Sequence, residues 1–250
     1  LTVGDRAAAQ TAPADGARSA AAAQDPQSET ARLNAWFDRQ YEEQLRFSPF
    51  QLTFLGRKEL YDQVDDLSEA GIRKQVDWMA RSVREMEAQF DYDKLDPETQ
   101  LSWDLWKKQY ENARDGLAFI QHAYPFEQMN GMQNLAPTFM INFHKVEDEQ
   151  DYRAYIARLG KLGTMFDALL ARARASAAKD IRPPKFAWEG VIDQSQKVIA
   201  GAPFGAGKDS ALWADAQAEA DALVKSGKID AARAAELKAL ARKALLESVQ

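Results

Sequence analysis

The chain has 250 residues, of which 46% are hydrophobic, with a formal net charge of −6 and no cysteine. This length is enough to bury a core as one large domain or two small ones. The acidic balance, with no cluster of Lys or Arg, argues against a nucleic-acid surface, and the lack of cysteine excludes disulfides and thiolate metal sites. No apolar run approaches the roughly 20 residues that span a bilayer, so the sequence predicts no transmembrane segment.

Residues 1–29 differ in composition from the rest of the chain. They are rich in Ala, Gln, Ser, Thr, Asp and Pro, and Leu1 and Val3 are their only large apolar side chains. Such a segment cannot bury enough apolar surface to order itself. We therefore predict a disordered tether or linker left after processing of an exported protein, with a remnant of recombinant expression as the alternative.

From residue 30 onwards, apolar side chains recur at three- and four-residue steps, the period of helices that pack on other helices. The third helix has the clearest start, with Asp96 as N-cap and Pro97 in the first helical position. Predicted helices begin near Thr30, near Ser68, at Pro97 and near Glu147 (running to about Ala178), followed by one around Trp188 and two more near 210–225 and 230–250. The predicted fold class is mainly α, an up-and-down arrangement of long amphipathic helices in one helical domain over residues 30–250. It includes one irregular loop and at most a short strand or hairpin near 124–145.

The irregular loop runs from Tyr124 to Pro137 and has neither a helical nor a strand period. Pro125 and Pro137 each remove a backbone donor and restrict the preceding residue, so we do not expect a plain helix there. Asn130-Gly131 is a turn signal, because both residues tolerate positive φ.

The polar side chains of this loop are the candidate binding groups. Amides both donate and accept hydrogen bonds, so they can pair with an extended peptide backbone, and loops held between helices often carry binding residues. The alternative is a packed crossover whose amides satisfy their own backbone. The candidate substrate-binding residues are Tyr124, Gln128, Asn130, Gln133 and Asn134, and no residue is identified as catalytic.

Two further patterns make local predictions. Phe139, Ile141 and Phe143 alternate with their neighbours, which allows a short strand after the loop. Gly160 and Gly163 interrupt the long fourth helix at a cost of roughly 1 kcal/mol each relative to Ala, which suggests a kink or a close helix crossing there.

The sequence identifies no metal site. His144 and Glu147 are three residues apart and could point the same way from a helix. A zinc site needs three or four ligands, however, and the chain has only two histidines and no HExxH motif. Asp91, Asp93 and Asp96 start like a calcium loop but lack its glycine and its final glutamate, so Asp96 is better explained as a helix cap.

The last predicted helix carries no stop signal. Leu245, Leu246 and Val249 continue its apolar pattern to Gln250 with no Gly or Pro to close it. We therefore predict that the chain is cut within a helix and is part of a longer protein, with a frayed natural terminus as the alternative.

Three stretches, taken in order and spacing, resemble a known family. They are Arg32–Asp38 with Ser48-Pro49 and Leu55-Gly56, then Tyr124–Gln128 with Gly131–Gln133, then Asp151–Leu159, followed by Pro184 and Val191–Gln194. Together they are similar to the amino-terminal half of the bacterial family catalogued as domain of unknown function 885, over about residues 30–250. Gly163 and Asp180 depart from the usual pattern.

The resemblance implies an exported or lipid-anchored, mostly helical protein of the periplasm or cell envelope, similar to zinc-dependent peptidases. The family's catalytic signature, a His-Glu pair followed by Pro-Gly-His, belongs to the carboxyl-terminal half and is absent here. Zinc is therefore expected in that missing half, and this chain alone is predicted to be inactive. The loop amides would form a wall of the cleft for a peptide substrate, and a lipid anchor would lie upstream. The alternative is a non-catalytic helical binding or scaffold module of the cell envelope.

Overall fold

The computed structural model describes residues 28–249, so the predicted tether lies outside the described residues except for Ser28 and Glu29. Across that range the chain forms nine α-helices and no β-strand, which confirms the mainly α class. The helices are α1 (Glu29–Leu45), α2 (Pro49–Phe54), α3 (Glu69–Gln89), α4 (Pro97–Gly116), α5 (Met132–Asn142), α6 (Glu149–Ala177), α7 (Lys185–Val198), α8 (Ala211–Lys225) and α9 (Ala231–Ser248). Short 3-10 helices at Tyr92–Lys94 and Leu117–His122 flank α4.

Side-chain caps explain where most of these helices begin. Seven of the nine start after a Ser or Asp whose side chain accepts a hydrogen bond from the backbone N–H three residues on. The predicted cap at Asp96 is among them, with its Oδ1 2.8 Å from Thr99 N. Each such cap stabilises its helix by about 1 kcal/mol.

The first half of the structure packs around an aromatic core. Trp36 of α1 and Trp103 of α4 are buried with Met86 of α3. The Trp36 and Trp106 rings meet edge to face with their centroids 5.7 Å apart. Helices α1, α3 and α4 therefore form one layered bundle, in which α3 and α4 lie against each other.

The second half packs around α6. This helix lies along α9, which in turn packs against α8. Tyr152, Tyr155 and Leu159 of α6 are fully buried in this core. Phe50 of α2 reaches it from the first half, since its ring stacks on Phe139 of α5 with centroids 3.9 Å apart.

The strand allowed at residues 139–143 is not formed, because residues 139–142 belong to α5 and Phe143 is its C-cap. Phe139 and Phe143 are four residues apart and therefore share one face of a helix. Both rings contact Phe54, at centroid distances of 5.3 and 4.6 Å. Pro137 also lies inside α5, contrary to the expectation of an irregular stretch up to that residue. Its ring removes one helical donor, and the buried neighbours Ala136 and Met140 hold the helix around it.

The loop before α5 is also built differently from the predicted turn. Gly131 has φ −66° in an extended conformation, and Asn130 does not have positive φ. The Glu127 carboxylate holds the turn instead, accepting from Met129 N at 2.7 Å and from Asn130 N. Glycine is needed at 131 for space, since a Cβ there would overlap the backbone oxygen of Glu127.

The close crossing predicted at the glycines of α6 is confirmed for Gly163. A Cβ on residue 163 would lie 2.7 Å from the backbone oxygen of Ser248 in α9, whereas a Cβ on residue 160 would meet no atom within 4 Å. The Ser248 hydroxyl also donates to the Gly160 carbonyl at 2.9 Å. Only Gly163 is therefore required by the approach of α9.

This difference predicts opposite outcomes for two alanine substitutions one turn apart. Gly163→Ala is expected to destabilise the chain by about 1–3 kcal/mol, because backbone atoms must move to admit the methyl group. Gly160→Ala, the matched control, is expected to stabilise it by about 0.5–1 kcal/mol through helix propensity alone. Urea unfolding of both variants checks this, and equal effects of the two substitutions would contradict the crossing.

Candidate functional site

In the described part of the chain, a groove of about 580 Å³ is bordered by α5, α6, α7 and the end of α9. Ligand sites in proteins are commonly clefts of about 300–1,000 Å³ lined mostly by apolar side chains. The apolar side chains of this groove are Phe126, Pro137, Leu162, Phe166, Leu170, Trp188, Val191, Val198, Ile199, Leu212 and Val249. Its volume and its mostly apolar lining fall within the range of known ligand sites.

A few polar groups lie among these apolar walls. Asp167 and Thr164 come from α6, Ser195 from α7 and Glu247 from α9. Glu247 lies 3.8 Å from Lys243, which is outside the groove. The lining thus contains two carboxylates and no Lys, Arg or His.

A chain of glutamines joins the loop before α5 to α7 at one edge of this groove. Gln133 Nε2 donates to the Glu127 carbonyl and to Gln194 Oε1, both at 2.7 Å. Gln194 Nε2 in turn donates to the Gln128 carbonyl at 2.9 Å. The loop comes this close because residue 190 is glycine, where a Cβ would lie 2.9 Å from Gln128 Cβ.

The structure does not bring the five predicted binding residues together in one site. Gln133 is buried and lines the groove, but both donors of its amide are bonded within the protein. Tyr124 and Asn130 are exposed, and Gln128 and Asn134 are half-buried. These four do not line the groove.

Sequence reasoning missed the groove residues of α6, α7 and α9. The apolar residues Trp188, Val191 and Val198 indicated a helix there, but not that one of its faces stays open. Leu170 is exposed, but only the three-dimensional structure reveals this. Which face of a helix stays open depends on the neighbouring helices, and periodicity does not reveal that.

The hydrogen bonds of Gln133 predict a cost in stability when it is removed. Gln133→Ala leaves the Glu127 carbonyl and Gln194 Oε1 without this donor, which is expected to cost about 1–3 kcal/mol. Asn130→Ala is the matched control, because its exposed side chain forms no hydrogen bond with residues 28–249 and its removal should change stability by less than about 0.5 kcal/mol. Chemical unfolding of both variants provides the comparison. A Gln133→Ala variant as stable as Asn130→Ala would contradict the structural role of this amide.

His144, the one histidine considered as a metal ligand, has both ring nitrogens occupied. Arg158 Nη1 lies 2.9 Å from His144 Nδ1, and because a guanidinium only donates, Nδ1 is the acceptor. Nε2 therefore carries the proton and donates to the Asp151 carbonyl at 3.1 Å. Glu147, the second member of the predicted pair, binds Lys58 at 2.6 Å. His144 and Glu147 are thus part of the packing, with no lone pair of His144 left for a metal.

Burial determines the protonation of this cluster. It lowers the pKa of His144 to about 4, and the nearby Arg158 charge acts in the same direction. Burial likewise lowers the pKa of Arg158 to about 10, so the guanidinium stays charged at neutral pH. No group of three or more His, Asp or Glu side chains within residues 28–249 has the arrangement of a metal site.

Comparison with known proteins identifies the family. A sequence model of the family described as "Bacterial protein of unknown function (DUF885)" matches residues 49–250. The chain belongs to this family. A comparison with curated proteins gives no significant match.

A solved structure shows that this DUF885 chain shares its fold with a longer protein. The crystal structure of a candidate lipoprotein from Colwellia psychrerythraea matches with a TM-score of 0.64 at 12% sequence identity. The match covers 89% of this chain and 40% of the Colwellia chain. At that identity the likeness concerns the fold. In the described part of the DUF885 chain, no helix has the length and apolarity needed to cross a membrane.

Proposed function

We propose that this chain is the amino-terminal helical portion of an exported zinc-peptidase-like protein and that its groove binds part of a peptide substrate. The observation that carries the proposal is the 580 Å³ apolar groove between α5, α6, α7 and α9. Membership of the DUF885 family and the fold shared with a longer candidate lipoprotein support it. An envelope location, with a lipid anchor upstream, is part of the same proposal.

The groove would hold a peptide mainly through its side chains. Trp188, Phe166 and Leu170 offer apolar surface, and burial of apolar area contributes about 25 cal/mol per Å². Thr164 and Ser195 lie on the same walls. The Ser195 hydroxyl donates to the Val191 carbonyl at 2.8 Å and can still accept a hydrogen bond from a peptide N–H.

The loop residues take two different roles in this proposal. Gln133 positions the loop against α7 through its hydrogen bonds to Glu127 and Gln194. Tyr124, Gln128, Asn130 and Asn134 keep exposed or half-buried side chains, and they are proposed to meet the peptide as it leaves the groove.

The described residues, 28–249, do not fit a zinc site, so no step of the chemistry is assigned to them. Both nitrogens of His144 are bonded within the protein, and His122 is exposed with no cluster of ligands around it in the described residues. The zinc and the residues that act with it would belong to the carboxyl-terminal half of the proposed protein.

A second candidate function is a non-catalytic binding or scaffold module of the cell envelope. Leu101 and Leu105 of α4 favour it, because they are one helical turn apart and 59% and 52% exposed. Apolar side chains grouped on an exposed face commonly mark contact surfaces with other proteins.

Blocking the groove tests the first function. In the complete protein, Ser195→Trp is expected to lower kcat/KM for peptide hydrolysis at least about tenfold with zinc content unchanged, because the indole fills the space that the substrate needs. Gln196→Trp, on the exposed face of the same helix, is the control and should leave kcat/KM unchanged. Full hydrolysis by the blocked variant, or a complete protein without zinc or peptidase activity, would overturn the proposal. The latter result would favour the scaffold module.

A further inference from the structure

We propose that the groove selects peptide segments that carry a positive charge beside an apolar side chain. The inference rests on the proposed function, because it names the class of peptide that the same groove accepts. It comes from the charges of the lining, where two carboxylates and no basic side chain stand among apolar walls.

Asp167 is the first of these carboxylates, and it has no partner on its own helix. The positions one turn away on α6 are Gly163, Thr164, Leu170 and Ala171, none of which is basic. The Asp167 carboxylate is exposed, and no Lys, Arg or His within residues 28–249 forms an ion pair with it. Its charge is therefore available to a ligand in the groove.

Glu247 is the second carboxylate and comes from α9. Its contact with Lys243 is long, at 3.8 Å, and the two side chains are 62% and 66% exposed. A pair of that kind contributes at most about 1 kcal/mol and exchanges readily with another cation. The groove therefore presents negative charge from α6 and from α9.

A lysine or arginine side chain fits both properties of such a groove. Its methylene stem lies along apolar surface while its charged end reaches a carboxylate or water. Trp188 and Leu170 provide the apolar surface, and Asp167 provides the carboxylate. An acidic peptide would instead place its negative charge beside these two carboxylates, which disfavours it.

Calorimetric titration of the 250-residue chain with three matched peptides tests this selection. The peptides are blocked at both ends and differ only in a central Lys, Gln or Glu between two leucines. At low salt we expect the Lys peptide to bind about three- to tenfold more tightly than the Gln peptide, and the Glu peptide to bind more weakly than either. Added salt should reduce these differences, because it screens exposed charges.

Two variants test whether the two carboxylates cause the preference for the Lys peptide. The double substitution Asp167→Asn with Glu247→Gln should make the Lys and Gln peptides bind equally, while binding of the Gln peptide stays as in the unmodified chain. Asp193→Asn removes an exposed carboxylate of α7 that pairs with Lys197 outside the groove, and it should leave the preference intact. Thermal melts confirm that each variant is folded.

The possible outcomes separate the inference from the function on which it rests. Equal binding of all three peptides would overturn the charge selection and leave the peptide groove standing. A preference that survives the double substitution would overturn the assignment to Asp167 and Glu247. Binding of none of the peptides would overturn both the inference and the proposed groove function.

Discussion

Replacing Arg158 with methionine is expected to destabilise the chain by about 3–5 kcal/mol, the largest effect of any single substitution considered, because several buried acceptors lose their donor. Arg158 is fully buried in α6. Its guanidinium donates to the carbonyls of Pro49 and Gln63, to Thr53 Oγ1 and to His144 Nδ1 at 2.8–3.2 Å. Methionine fills a similar volume but donates to none of them, so these acceptors would stay buried without their donor.

The guanidinium also lies over three aromatic rings, which explains how a buried cation is tolerated here. Its central carbon is 4.8 Å from the ring centroid of Tyr61, 5.2 Å from that of Phe139 and 5.7 Å from that of Phe50. Cation–π contacts of this kind contribute about 0.5–2 kcal/mol when desolvated. Arg158 thereby connects three parts of the chain, which are α2, the segment that precedes α3, and its own helix α6.

Urea unfolding of Arg158→Met measures the effect, with Arg153→Met as the matched control. Arg153 lies on the same helix, but its side chain is 50% exposed and bonds only to Glu149 in the described structure. Its removal should change the free energy of unfolding by less than about 1 kcal/mol. Arg158→Lys should also be destabilised, because one ammonium cannot reproduce the planar fork of donors. A loss below about 1 kcal/mol for Arg158→Met would contradict the role of this hydrogen-bond cluster.

Lowering the pH from 7 to 4 is expected to remove about 3 kcal/mol of stability through His144 alone. The pKa of His144 is lowered to about 4 from a reference value of 6.5, chiefly by burial. The unfolded chain therefore binds a proton to this histidine at a higher pH than the folded chain does. Its contribution is fully present above about pH 6.5 and is lost as the pH falls towards 4.

Most of the groups that face the imidazole also favour its neutral form and so lower the pKa of His144. Arg158 donates to its Nδ1, and Lys58 adds a second positive charge nearby, so a protonated ring would face two cations. The Tyr61 ring stacks on the imidazole at 4.1 Å and keeps it from water. The nearby Asp151 carboxylate acts in the opposite direction but is bonded to Lys58 at 2.7 Å.

The two histidines of the chain make a matched pair for this measurement. The difference in unfolding free energy between pH 7 and pH 4.5 is expected to shrink in His144→Gln and to stay unchanged in His122→Gln, which alters an exposed ring. Burial raises the pKa values of Asp65, Asp215 and Glu219, so these carboxyls add stability as the pH falls. They are the same in every variant and cancel in the comparison. An unchanged pH dependence in His144→Gln would contradict the neutral imidazole.

Local signals in the sequence predicted most helices but not the path between them. Asp96 with Pro97, and Ser68 before an amphipathic stripe, specify helix starts through interactions within a few residues. Pro137 misled the prediction, because the cost of one missing donor is local while the burial of Ala136 and Met140 that outweighs it is tertiary. The alternation at Phe139 and Phe143 was ambiguous for the same reason, since only the contact with Phe54 distinguishes a helix from a strand.

The candidate site could be predicted only in part. The amides of the loop drew attention to Gln133, which does line the groove. Its partner Gln194 is 61 residues away, and no local pattern joins the two. Asp167 and Ser195 belong to no motif in the sequence, and only the packing of the helices brings them to one groove. Grooves between helices depend on packing angles, which the period of each helix does not encode.

Hydrogen–deuterium exchange of the 250-residue chain, with and without the leucine-flanked lysine peptide at saturating concentration, tests the central claim most directly. A peptide bound in the groove is expected to slow backbone exchange in residues 160–170 of α6 and 188–198 of α7, and to leave α1 and α4 unchanged. Slowed exchange confined to α1 or α4, or no change in α6 and α7 when the peptide is bound, would contradict a peptide site between α5, α6, α7 and α9.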